Sequence, residues 1–77
     1  MKELDTRGML CPLPIIELAR AAAAGAPGAV IQVLADDPAT LSDIPAWCDM
    51  KGAALLSSRT EHDDESGSPR YVFEVQI

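Results

Sequence analysis

The sequence predicts an α+β fold: a two-layer α/β sandwich in the order βαβαββ, with two helices on one face of a four-stranded mixed sheet. Three observations predict it. A strand, a helix and a second strand follow one another in about 35 residues, the pattern of a right-handed parallel βαβ unit. The last segment, "RYVFEVQI", alternates Tyr71, Phe73, Val75 and Ile77 with Val72, Glu74 and Gln76, as a strand with one buried face does. At 77 residues the chain has room for one domain, residues 1–77, with two layers and no deep cavity.

"KELDT" alternates weakly and reads as a short first strand. "DTRG" fits a type I turn with Asp5 first and Gly8 fourth, and the Asp5 side chain can accept bonds from the turn's own amides. From Pro12 to about Ala24 the residues are strong helix formers. Ile15, Leu18, Ala19 and Ala22 form one buried stripe, with Leu13, Glu17, Arg20 and Ala24 outside it. Gly25 is placed to end this helix as a C′ residue. "AVIQVLA", Ala29 to Ala35, is a central strand. In the second helix Thr40-x-x-Asp43 resembles a capping box. Pro45 is cheap only in a first turn, which moves the regular helix start toward Ser42. Ile44, Trp47 and Cys48 face the sheet, and Gly52 ends the helix. "AALLSSRTE" and "RYVFEVQI" are two strands joined by the acidic hairpin loop "HDDESGSP".

The formal net charge is −6, and the six Lys and Arg are scattered, which argues against direct nucleic-acid binding and for a partner with a basic face. No apolar run is long enough to span a membrane, and "MKELDTRG" lacks the apolar core of a signal peptide, so a cytoplasmic protein is expected. Cys11 and Cys48 are the only cysteines and His62 the only histidine, too few for a zinc site. No metal and no cofactor are expected. The same count argues against a Cys-His or Ser-His catalytic pair.

Cys11 carries the chemistry in this reading. Pro12 after it biases Cys11 to extended backbone, which suits an N-cap with Pro12 at N1. A thiol there faces the positive end of the helix dipole, which favours thiolate. Pro12 and Pro14 remove two first-turn donors and leave the Leu13 N–H to bond the sulfur. The prolines stiffen the turn, and Pro14, in the first turn, is expected to have few interior contacts. Asp36 and Asp37 fall at the same sheet end as Cys11, and carboxylates there would oppose the dipole. Asp37 also reads as the cap of a turn before Pro38. Cys48 reads as core packing, and Trp47 as core or rim.

"LDTRGMLCPLPIIELARA" resembles the opening of the TusA/SirA-like sulfur-carrier family, with its Cys-Pro-x-Pro motif after an L-D-x-x-G turn. "LADDPATLSDIPAWC" resembles the family's second block, and the likeness covers nearly the whole chain. The resemblance implies that Cys11 accepts sulfane sulfur as a persulfide and passes it on, with Pro12, Pro14, Asp5 and Gly8 as motif residues. Asp37, Pro38, Asp43, Ile44 and Pro45 match the second block, where structural roles are expected. The implied partners are a cysteine desulfurase or other sulfur donor protein and a downstream sulfur acceptor protein. Transfer RNA thiolation, molybdenum-cofactor maturation and sulfur oxidation are all compatible pathways. Two other functions fit the residues: an interaction module using Leu13 and the outer helix face, and a redox switch pairing Cys11 with Cys48.

Overall fold

Six elements follow one another in the computed structural model, which describes residues 1–77: β1 (Lys2–Asp5), α1 (Leu13–Ala24), β2 (Val30–Ala35), α2 (Thr40–Lys51), β3 (Ala54–His62) and β4 (Pro69–Gln76). The sheet order is β1-β2-β4-β3. β1 runs parallel to β2, with Leu4 opposite Val33. β4 is antiparallel to both β2 and β3. This is the predicted βαβαββ mixed sheet.

One core cluster joins both helices to one face of the sheet. Leu18 and Ala21 of α1 and Ile44, Trp47 and Cys48 of α2 pack on Ile31, Val33, Ala35, Tyr71, Phe73 and Val75. The period-two pattern of β2 and β4 sends these sheet residues to the helix side. Val72 faces the other way and is still only 1% exposed, opposite Leu34 and Arg59 in the ladders. On that outer face Arg59 and Arg70 pair with Glu61, and Arg59 also reaches Glu74.

Four local expectations are corrected. The first turn starts one residue later than predicted. The Met9 N–H donates to the Thr6 carbonyl at 3.1 Å, which puts Gly8 third in the turn with φ 84°, the left-handed region glycine enters without a Cβ penalty. On α1 the deepest line is Pro14, Leu18 and Ala21, whereas Ile15, Ala19 and Ala22 flank it and are partly buried. The buried ring of Pro14 begins that line, with Leu18 and Ala21 following on the same helix face at i+4 and i+7. Gly25 caps α1 in extended backbone rather than left-handed. A Cβ there would stand 2.7 Å from Ile77 Cδ1, the movable end of a side chain, and 3.2 Å from the Ala21 carbonyl oxygen. Finally, α2 begins at Thr40 with Ala39 as cap, so Thr40-x-x-Asp43 is not a capping box and Pro45 lies inside the helix. The Thr40 hydroxyl instead donates back to the Asp37 carbonyl at 2.7 Å. Gly52 ends α2 in the left-handed conformation, as its position predicts.

Candidate functional site

The segment from Asp5 to Pro12 leaves the end of β1 and is tied to the corner that follows β2. Because the two strands are parallel neighbours, both connections emerge at one sheet end. Thr6 donates its N–H and its hydroxyl to the Leu34 carbonyl, each at 2.7 Å. The Gly8 N–H donates to both carboxylate oxygens of Asp36, at 2.9 and 3.0 Å. The Cys11 N–H donates to Asp37 Oδ2 at 2.8 Å. Asp37 Oδ1 accepts from the Ala39 N–H at 3.0 Å, so Asp37 caps the turn before α2 as predicted and holds the cysteine as well. Those two N–H donors, Ala39 first and Cys11 second, keep the Asp37 carboxyl below its ordinary range.

Asp5 closes the other end. Its carboxylate accepts from the Arg7 N–H at 3.0 Å and pairs with the Arg7 guanidinium at 2.7 Å. The hydrogen bond from the guanidinium, then that from the Arg7 N–H, lowers its pKa to about 2. Arg7 is thereby committed to Asp5 and places no ion pair at the cysteine.

Cys11 does not sit where the sequence puts it. Pro12 occupies the cap position of α1, and Cys11 lies one residue earlier in a turn closed by the Leu13 N–H donating to the Leu10 carbonyl at 2.9 Å. The Cys11–Pro12 peptide is cis. The donor reserved for sulfur is therefore spent within the turn. The thiol instead donates to Asp43 Oδ2 of α2 at 3.1 Å. This reverses the predicted shift toward thiolate. The Cys11 thiol is pushed above its ordinary range, first by the hydrogen bond to Asp43, then by lost solvent, then by the charges of Asp43 and Asp37. A carboxylate in contact outweighs a dipole that fades beyond the first turn.

Cys11, Pro12, Ile15, Asp43, Ala46, Trp47 and Met50 line an open groove of about 330 Å³ between the two helices. Met50 of the groove and Leu10, the residue before Cys11, are each 72% exposed, and Leu13 is also exposed. Of the motif prolines, Pro12 lines the groove and Pro14 does not. Pro14 is buried, contrary to the expectation of few interior contacts. Cys48 lies in the core, where burial pushes its thiol up. Both cysteines are free, Cys11 exposed and Cys48 buried. Sequence reasoning missed Asp43 as the partner of the thiol. The available signal was its place in the acidic stretch that starts at the same sheet end as Cys11.

This geometry has relatives. The family model described as Sulfurtransferase TusA matches residues 2–74. The chain belongs to the TusA sulfurtransferase family. A crystal structure of a SirA-like protein from Desulfitobacterium hafniense superposes with a TM-score of 0.70 at 26% identity, covering 97% of this chain and 96% of that one. A TusA-family chain has a general role as a sulfur carrier, which implies a donor and an acceptor of sulfur. No helix here is long and apolar enough to cross a membrane.

Proposed function

We propose that residues 1–77 act as one sulfur-carrier domain that takes up sulfane sulfur as a persulfide on Cys11 and passes it to an acceptor protein. The observation that carries this reading is the contrast between the two thiols: Cys11 is exposed at an apolar groove, and Cys48 is sealed in the core. Uptake requires the Cys11 sulfur to reach the persulfide of a donor such as a cysteine desulfurase. Delivery requires a second thiol to reach the terminal sulfur on Cys11. Both are exchange steps that need access and a proton acceptor, and neither needs a metal or a cofactor. Exposed Leu10, Leu13 and Met50 give partner proteins an apolar footing next to the reacting atom. Free thiols suit a reducing compartment such as the cytoplasm.

The test is intact-mass analysis after incubation with a cysteine desulfurase and cysteine. The wild-type chain gains one sulfur atom (~32 Da) that reductant removes. Cys11→Ser folds and does not load, while Cys48→Ser loads. Loading that survives in Cys11→Ser and vanishes in Cys48→Ser overturns the assignment. A docking module independent of the thiol draws on the exposed Leu13 and Ile16 of α1, and it gains if Cys11→Ser retains full biological activity.

A further inference from the structure

Asp43 is bonded to the Cys11 sulfur, and no cation offsets it. The ion pairs of the molecule join Arg7 to Asp5, Arg20 to Glu17, Arg59 to Glu61 and Glu74, and Arg70 to Glu61. None involves Asp36, Asp37 or Asp43, the acids around the cysteine on the β2–α2 corner and on α2. On α1, Glu17 and Arg20 answer each other. Nor is there a nest of backbone donors for an anion. The Cys11 N–H is taken by Asp37, the Leu13 N–H by Leu10, and the Ile15 and Ile16 N–H groups by Pro12. Pro12 and Pro14 have no N–H to give. Away from Asp43, the groove beside the sulfur is walled by Pro12, Ile15, Ala46, Trp47 and Met50. Of the N–H groups from Cys11 to Ile16 none is free, the neighbouring Leu10 N–H is the single unpaired one, and no cation and no cluster of donors is there to hold a negative sulfur.

We propose that Asp43 biases the carrier toward handing its sulfur on, by holding the empty Cys11 as a hydrogen-bonded thiol and repelling the charge of the loaded persulfide. This rests on Cys11 as the loading position. In the exchange, Cys11–SH meets a donor R–S–S⁻. The bond from the donor's sulfur to the terminal sulfur breaks, and a bond from Cys11 Sγ to that terminal sulfur forms. The Cys11 proton ends on the donor, now R–SH. The zero-valent sulfur changes hands with no net oxidation. A persulfide is a stronger acid than its parent thiol, so the loaded side is anionic at neutral pH and the empty side is not. Asp43 stabilises the empty side with its S–H···O bond and destabilises the loaded side with its charge. Both effects favour release.

The experiment equilibrates the chain with fixed mixtures of glutathione and glutathione persulfide at neutral pH and reads the loaded fraction by intact mass, with peptide mapping to locate the added sulfur. Asp43→Asn, which keeps a hydrogen-bond acceptor and removes the charge, raises the loaded-to-empty ratio several-fold. Asp49→Asn, an exposed acid of the same helix, leaves it unchanged. The rate of iodoacetamide alkylation at Cys11 against pH gives a second readout, and its midpoint falls in Asp43→Asn. Should that variant fail to fold, the wild-type midpoint is compared with that of the chain unfolded in urea, and the folded value is the higher. A ratio and midpoint unchanged or moved the other way in Asp43→Asn overturn the role of Asp43. So does a folded wild-type midpoint at or below the unfolded one. Added sulfur mapped to Cys48 instead overturns the assignment of Cys11, and with it this inference.

Discussion

At the start of α2, Asp37 accepts the Ala39 N–H, Thr40 donates back to the Asp37 carbonyl, and Asp43 brings negative charge to the first turn. At the start of α1 there is no side-chain cap, no acid in the first turn, and prolines at its first positions. The bare helix start is the one beside the cysteine, and the acids that serve it come from the β2–α2 corner and from α2. Asp37 holds the Cys11 backbone and Asp43 the Cys11 sulfur. The two sequence blocks make one site, in which the second block supplies what the Cys-Pro-x-Pro turn gives up. The two helix starts are secured differently: α1 has no side-chain cap bond and rests on the buried Pro14, whereas α2 pairs an equally buried Thr40 with side-chain hydrogen bonds around Asp37.

The sharpest way to break that contrast is Pro14→Ala. The substitution removes two buried ring carbons, at about 0.8 kcal/mol per methylene, and frees the unfolded chain by about 0.4–1 kcal/mol. A loss of about 2 kcal/mol is expected in urea unfolding. A loss within about 0.5 kcal/mol, the range of an ordinary surface change, would mean that burial does not anchor α1. Thr40→Val tests the other helix and should cost about 1 kcal/mol, since it deletes one buried hydrogen bond while keeping the shape. If it costs more than Pro14→Ala, the ranking of the two starts is reversed.

A smaller effect follows from pH. The Asp37 carboxyl lies below its ordinary 3.8 in the folded chain, so the unfolded chain takes up the proton first as pH falls. Its contribution is fully present above pH 3.8 and is lost as pH drops through the depressed native value. Asp5 behaves alike between 3.8 and about 2, its contribution reduced by solvent screening because its pair with Arg7 is exposed. Melting temperature followed from pH 6 to 2 should fall less steeply in Asp37→Asn than in wild type. Equal slopes would remove Asp37 from the account. Both thiols lie above their ordinary 9.0, so their share of stability is present below pH 9 and is lost as pH rises further. The least effect on stability is expected for Leu13→Ala, within about 0.5 kcal/mol, because the residue is 48% exposed. Its effect should appear in the rate of sulfur uptake from a protein donor. A normal rate would exclude Leu13 from the docking surface.

The element order could be read from the sequence because the strands carry it plainly. Tyr71, Phe73 and Val75 are buried in the alternation read for the last strand, and Ile31, Val33 and Ala35 are buried in the aliphatic strand read as central. The stripe on α1 was harder to read. Alanine at so many positions leaves the helix little contrast between faces, and the buried proline that begins its deepest line reads from sequence as a turn residue. The site was legible as a cysteine and an acidic corner but not as a pair. Asp43 has a strong local reading as a helix-start residue, and only the parallel pairing of β1 and β2 with the seat of α2 brings it to Cys11. The thiol's shift is the reverse of the expected one for the same reason: the dipole belongs to one helix, and the deciding charge sits on the other.

β1 is four residues long and has a neighbour on one side only. The loop that leaves it is exposed, yet most of its amides are occupied: Gly8 by Asp36, Met9 by Thr6, Cys11 by Asp37. Leu10 is without such a partner. Amide exchange should read this as a fingerprint, with Leu10 fast between slower Met9 and Cys11. Because exchange reports the opening of the bonded unit rather than exposure, Gly8 and Cys11 should exchange together with the amides of β1. The cysteine then has no private motion. The tempo at which it can lift toward a partner is the tempo at which the edge of the sheet and the two aspartates behind it let go.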